Sequence, residues 1–214
     1  MWYAIQLLAL FATAVSQARS FVLIPTVSSA FRATVALKTH FAVASSRVSR
    51  GEKSALRMAE EGFGVPLTVG TDAPAFTVND QDEKEVTLAS FKGEKNVVVY
   101  FYPKDDTSGC TKEACTFRDL KTEYDALDCV VLGVSADDEA SHVNFIEKLG
   151  LNFSLLADTN KTLVKAYGAT KPGDKIQRST VLVDKEGKVA AVWNPVTTAE
   201  THPNDVLAKL RDIL

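Results

Sequence analysis

The sequence predicts an α/β domain, a central mixed β-sheet with helices on both faces. Three observations carry that expectation. Apolar runs rich in β-branched and aromatic residues recur at Asn96–Pro103, Cys129–Ala136 and Thr180–Asp184. Segments with apolar residues every three to four positions lie between and after them. The composition, 46% hydrophobic and 24% charged, is that of a globular protein, and 214 residues allow one ordinary domain plus an extension.

Taken in order, Asp82–Leu88 suggests an N-terminal hairpin, with the Lys- and Glu-rich stretch from Gln81 to Glu85 as its solvated turn. Asn96–Pro103, NVVVYFYP, reads as a central strand buried on both faces. A helix starts near Ser108 or Gly109, and Phe117, Leu120, Tyr124 and Leu127 continue its apolar stripe. Cys129–Ala136 is the second strand. Val143, Ile146 and Leu149 mark the next helix, with His142 expected on its solvated face. Thr180–Asp184 is the third strand, and Val189–Trp193 is its hairpin partner across Asp184-Lys185-Glu186-Gly187. Trp193 is expected in the core or at an edge. A last helix begins near Pro203, close to His202, and carries Val206, Leu207, Leu210 and Leu214.

The chain before this domain differs in kind. No Asp or Glu precedes Glu52, while Arg19, Arg32, Lys38, Arg47 and Arg50 do. Residues 2–15, WYAIQLLALFATAV, have the length of a signal-peptide core and are too short to span a membrane. From Phe31 to about Arg57 the chain is rich in Ser, Ala and Thr, basic and nearly free of acid, the composition of an organelle transit peptide. A signal followed by a transit segment, with Ser28-Ser29-Ala30-Phe31-Arg32 at the junction, resembles the bipartite presequences of algae with complex plastids. That resemblance implies a presequence over 1–58 (signal about 1–30, transit about 31–58), a domain over 65–214 and a plastid destination. Ser20-Phe21 is a rival cleavage site, and a secretory signal with a linker or a mitochondrial presequence are the alternatives.

The chemistry concentrates in Pro103–Arg118, PKDDTSGCTKEACTFR. A buried strand ends, a polar loop follows, and Cys110 falls in the first turn of a helix. Unpaired N–H groups and the positive end of the helix dipole favour thiolate over thiol there. Cys115 lies five residues on, about 7.5 Å along an ideal helix and about 140° around it. Two thiols so placed cannot bond while the helix is intact. A redox pair therefore predicts a folded reduced helix and a locally unwound oxidised one. Two bland readings compete. A structural bridge over so short a loop would break a helix, and a zinc site lacks further ligands at suitable spacing, since Cys129, His142 and His202 are the remaining candidates. Cys-x-x-Cys, the usual pattern of dithiol oxidoreductases, is absent, and so are nucleotide-binding loops. A net charge of −3 gives no sign of nucleic-acid binding. Cys129, opening a buried strand, is expected to be packing. Thr107 alone suits a helix cap, and Arg178 alone a surface ion pair.

Pro103-x-x-x-Thr107-x-x-Cys110 matches the signature of peroxiredoxins. The run FYPKDDTSGCTKEAC resembles their Q type, also called bacterioferritin comigratory protein, with Ser108 standing where a Pro is usual. The resemblance continues through Gly133-Val134-Ser135-Ala136-Asp137, Leu155-Leu156-Ala157-Asp158, Ala166-Tyr167-Gly168 and Arg178-Ser179-Thr180. It implies a thioredoxin fold and a thiol peroxidase with Cys110 peroxidatic and Cys115 resolving. It further implies that Pro103 shields the sulfur, Thr107 orients the peroxide and Arg178 sets a guanidinium beside the thiolate. The implied partners are a hydroperoxide and a dithiol donor, thioredoxin or alternatively glutaredoxin. No metal or organic cofactor, no nucleic acid, no membrane insertion of the mature domain and a monomeric state are expected.

Overall fold

The middle of the sheet is the run that reads as doubly buried. The computed structural model describes residues 50–214. The expected signal segment and most of the expected transit segment lie outside them. The described elements are α1 (Arg50–Glu60), β1 (Thr77–Asn79), β2 (Glu85–Thr87), a 3₁₀ turn (Leu88–Phe91), β3 (Asn96–Phe101), α2 (Ser108–Asp119), α3 (Lys121–Ala126), β4 (Cys129–Ser135), α4 (Glu139–Leu149), β5 (Ser154–Ala157), α5 (Thr162–Ala166), β6 (Thr170–Lys171), β7 (Lys175–Ile176), β8 (Ser179–Val183), β9 (Val189–Trp193) and α6 (His202–Ile213).

The five-stranded sheet has the order β5-β4-β3-β8-β9. β3 pairs in parallel with β4 and β4 with β5, while β8 runs antiparallel to both β3 and β9. Helical crossovers feed the parallel strands and a hairpin the antiparallel pair, as their connections require. Every residue of β3 is buried. Val98, Tyr100 and Tyr102 face a core with Cys110, Phe117, Tyr124, Phe145, Val206 and Leu210. Val97, Val99 and Phe101 face a second core with Phe76, Leu88, Leu163, Val164 and Tyr167. A period of two between two apolar layers is why the run shows no polar alternation. This is the expected mixed α/β sheet with helices on both faces, a thioredoxin fold.

Several details differ from the sequence reading. The stripe through Phe117, Leu120 and Tyr124 is split at Leu120, which ends α2 and starts α3 at φ −90°, ψ 0°. The N-terminal hairpin joins β1 to β2, so Asp82–Leu88 holds only its turn and second strand. Gln81 is not merely part of a solvated turn, because its Oε1 accepts from Leu155 N at 3.0 Å and closes part of the outer edge of β5. β5 itself, only Ser154–Ala157, is too short for the long-run criterion that found the other strands. His142 is fully buried rather than on the solvated face of α4. It shares helical spacing with Phe145, Ile146 and Leu149, and its ring nitrogens have buried acceptors. Leu214 lies beyond α6 and is 65% exposed.

The expected boundaries at 58 and 65 both lie within the described residues. α1 crosses the first. Ahead of the second, Gly64 N donates to Thr170 O at 2.8 Å. A Cβ on Gly64 would stand 2.2 Å from Gly168 O, and one on Gly168 2.1 Å from Val65 O. Only glycine permits two backbones to cross so closely. Among the described residues no helix is long and apolar enough to cross a membrane.

Candidate active site

β3 delivers the chain to Tyr102, whose N–H still bonds Val134 O at 3.1 Å. The loop from Pro103 to Thr107 then turns into α2. Pro103, Lys104, Asp106 and Thr107 are exposed, and Asp105 is buried. Asp106 adopts φ +59°, and its carboxylate receives Lys148 Nζ at 2.8 Å. Thr107 occupies the N-cap position of α2 without a side-chain cap, and its hydroxyl donates to Lys104 O at 3.1 Å. The hydroxyl therefore bonds neither the helix nor the sulfur in this state.

Cys110 is the third residue of α2 and only 1% exposed. Arg178, immediately before β8, donates from Nη2 to Cys110 Sγ at 3.1 Å. Its other arm, Nη1, pairs with Glu113 Oε2. The guanidinium also passes over Gly109, where a Cβ would stand 3.4 Å from Nη2. One side chain on the sheet thus holds both a sulfur and a carboxyl of α2. A planar guanidinium with divergent donors suits that task better than an ammonium.

Glu113 was not singled out by sequence reading. Its signal was present, since Cys110, Glu113, Ala114 and Phe117 share one helix face and all four are buried. A charged residue inside an apolar stripe asks for a partner, and Arg178 is that partner. Burial pushes Glu113 up to about 7, with Arg178 opposing the rise. Its second oxygen, Oε1, is buried without a hydrogen-bond partner.

Cys115 is half-buried further along the same unbroken helix, and both thiols are free. α2 is tied down at several points. Lys112 Nζ meets Glu200 Oε2 at 2.8 Å, Thr116 Oγ1 donates to Glu200 O at 3.0 Å, and Arg118 Nη1 donates to Leu149 O at 2.5 Å. Cys129 is buried at the start of β4, and burial pushes its thiol up to about 12. Such a sulfur is inert at neutral pH. His202, at the start of α6, faces Thr180 Oγ1 at 2.8 Å and Trp193 edge-on at 5.4 Å, and burial lowers it to about 4.

The structure therefore brings Arg178 and Cys110 together and adds Glu113. It keeps Cys115 apart from Cys110 along the helix. Among the described residues no group of three or more His, Cys, Asp or Glu side chains could hold a metal ion. What the arrangement can do is set a buried sulfur against a fixed guanidinium that would stabilise negative charge developing beside it.

Comparison with known proteins bears on the family of the chain. The AhpC/TSA family profile matches residues 69–192. A bcp peroxiredoxin of Coxiella burnetii is 41% identical over 151 residues, 67% of this chain and 99% of that one. The chloroplastic peroxiredoxin Q of Triticum aestivum is 37% identical over 195 residues, 88% and 85% of the two chains. A solved Xanthomonas campestris bacterioferritin comigratory protein, described for its alkyl peroxide reduction activity, superposes with a TM-score of 0.63 at 34% identity, covering 68% of this chain and 99% of that chain. BcpB of Mycobacterium tuberculosis gives 0.65 at 30% identity, covering 69% and 99%.

Proposed function

Because the chain belongs to the AhpC/TSA family, with relatives named peroxiredoxin Q and bacterioferritin comigratory protein, and is a thiol peroxidase, we propose that Cys110 is its peroxidatic residue and Cys115 its resolving one. The observation that carries this reading is the 3.1 Å contact from Arg178 Nη2 to a buried Cys110 Sγ at a helix N-terminus. The thiolate attacks one oxygen of ROOH. The S–O bond forms as the O–O bond breaks, the sulfur loses two electrons to become a sulfenic acid, and RO⁻ leaves to be protonated to the alcohol. Arg178 stabilises the thiolate and the negative charge passing to the leaving oxygen. Glu113 holds Arg178 in place. Family resemblance gives Thr107 the role of orienting the peroxide and Pro103 that of shielding the sulfur.

Cys115 then attacks the sulfenic sulfur. A disulfide forms and water is lost. The unbroken helix keeps the two residues about 140° apart, so its first turns unwind before this step. An external dithiol, thioredoxin in our reading, reduces the bridge by exchange. The protein works as a monomer in the plastid, delivered there by a presequence. The chloroplastic plant relatives support that location.

The test is peroxide-dependent NADPH loss with thioredoxin and its reductase, using purified protein. Cys110→Ser abolishes turnover. Cys115→Ser consumes one peroxide per chain and then stops. Full turnover by the second variant removes Cys115 from the resolving role.

A further inference from the structure

A buried polar cluster stands beside the loop that leads to Cys110, and the chemistry above does not use it. Asp105 is 5% exposed and His142 fully buried. Tyr102 Oη donates to Asp105 Oδ1 at 2.8 Å. Ser141 Oγ at 2.8 Å and His142 Nδ1 at 2.9 Å share Asp105 Oδ2. His142 Nε2 lies 3.3 Å from Leu156 O. Asp105 N donates to Asp137 Oδ2 at 2.9 Å, and that oxygen also accepts from Ser135 Oγ at 2.8 Å. One residue of an otherwise exposed loop is thereby fixed to the residue that follows β3, to the end of β4 through Asp137, to α4, and through His142 to β5.

The place of that anchor matters. Asp105 precedes the left-handed Asp106, and Thr107 follows as the first residue to engage α2, its carbonyl accepting from Thr111 N at 2.9 Å. The direction in which Thr107 and the Cys110 turn leave the sheet is therefore set at Asp105. Buried charges and fully bonded networks are costly to assemble, and their attested use is to specify one geometry.

We propose that the Asp105–His142 pair is a positioning device for peroxide reduction, acting on the oxidation of Cys110 and not on the later closure to Cys115. It lies upstream of the turns that unwind, so it stays in place while they open. This rests on the reading of Cys110 as peroxidatic.

The two ring nitrogens can be tested apart. His142→Asn carries an amide nitrogen near the position of Nδ1 and keeps the Asp105 bond. His142→Gln reaches the position of Nε2 and keeps only the Leu156 bond. Cys110 oxidation by hydrogen peroxide is followed by rapid quenching, alkylation and mass measurement in a Cys115→Ser background. Closure of the disulfide is followed with Cys115 present. A displacement of about 1 Å at a reacting group can cost about a hundredfold, so His142→Gln should slow oxidation about tenfold or more while His142→Asn stays within about threefold. Disulfide closure should change by less than about twofold in either, since neither bond lies in the unwinding segment. Equal losses in both variants, or losses in both steps that track the melting temperature, overturn the proposal and leave the pair a general stabiliser. If neither His142 variant folds, Ser141→Ala removes one donor from the same Asp105 oxygen. It should slow oxidation alone by about twofold to fivefold, as one hydrogen bond does, and an unchanged oxidation rate would refute the idea. Failure of Cys110 to oxidise in the Cys115→Ser parent would instead strike the peroxidatic reading.

Discussion

Substituting Glu113 by Gln should expose a pH dependence of stability that the native protein conceals. Burial raises Glu113 from 4.5 to about 7. The unfolded chain releases this proton from about pH 4.5 upward, whereas the folded protein keeps it until about 7. Rising pH therefore favours the unfolded state through that window, and stability from this group falls and is then level above it. The gap corresponds to about 3 kcal/mol. His202 works in the opposite sense. Burial lowers it from 6.5 to about 4, with Asp205 opposing and Arg178 reinforcing the shift. The unfolded chain takes up a proton below about 6.5 that the folded protein refuses until about 4, so stability from His202 rises with pH by about 3 kcal/mol over that range. The two slopes nearly cancel between pH 4.5 and 6.5. Gln cannot ionise, so Glu113→Gln leaves the His202 slope uncovered, and the variant should gain about 3 kcal/mol relative to wild type between pH 4.5 and 7. The assay is urea unfolding of reduced protein at four pH values across the range. With about 1–3 kcal/mol per molar urea for a domain of this kind, the midpoints of variant and wild type should diverge by about 1–3 M. A constant offset at all pH values, which would reflect only the altered contact to Arg178, refutes the reasoning. His202→Gln should tilt the other way.

Further outcomes follow from the same geometry. Arg178→Lys keeps the charge but cannot reach Cys110 and Glu113 together, so the second-order rate of Cys110 oxidation should fall by about tenfold or more. An unchanged rate would mean that the guanidinium fork is not used. Cys129→Ser places a hydroxyl in an apolar site and should cost about 1–3 kcal/mol in chemical denaturation while leaving peroxidase turnover intact. Lost turnover would give Cys129 a part in the redox cycle. Gly133→Ala puts a methyl group 2.6 Å from Leu155 Cδ2 and 2.7 Å from the Tyr100 hydroxyl, so about 1–3 kcal/mol of destabilisation is expected from overpacking. A melting temperature equal to wild type would show that β4 and β5 can part without cost.

The long strands were legible because burial on two faces leaves an unbroken apolar run, as at Asn96–Phe101. β5 was not, since four residues between loops carry no periodicity and its edge is closed by Gln81, distant in sequence. Cys110 and Cys115 announced themselves through spacing and the preceding loop. Arg178 could be placed only by family resemblance, because its partners Cys110 and Glu113 lie far away along the chain. Glu113 was passed over and His142 misplaced for one reason. Both are polar residues on apolar helix faces, and their meaning lies in Arg178 and Asp105, which periodicity cannot connect to them.

The glycine crossing between Gly64 and Gly168 limits where the proposed presequence could be cut away. If the proposed presequence is removed, a cut ahead of Gly62 leaves the stitch between Gly64 and the Gly168–Thr170 segment whole. A cut a few residues later would strip a backbone partner from the strand of the small β6–β7 hairpin and uncover Gly168. The same rule governs laboratory truncations and affinity tags. A tag fused directly at Val65 would have to thread its own side chains through a gap that admits only a bare Cα.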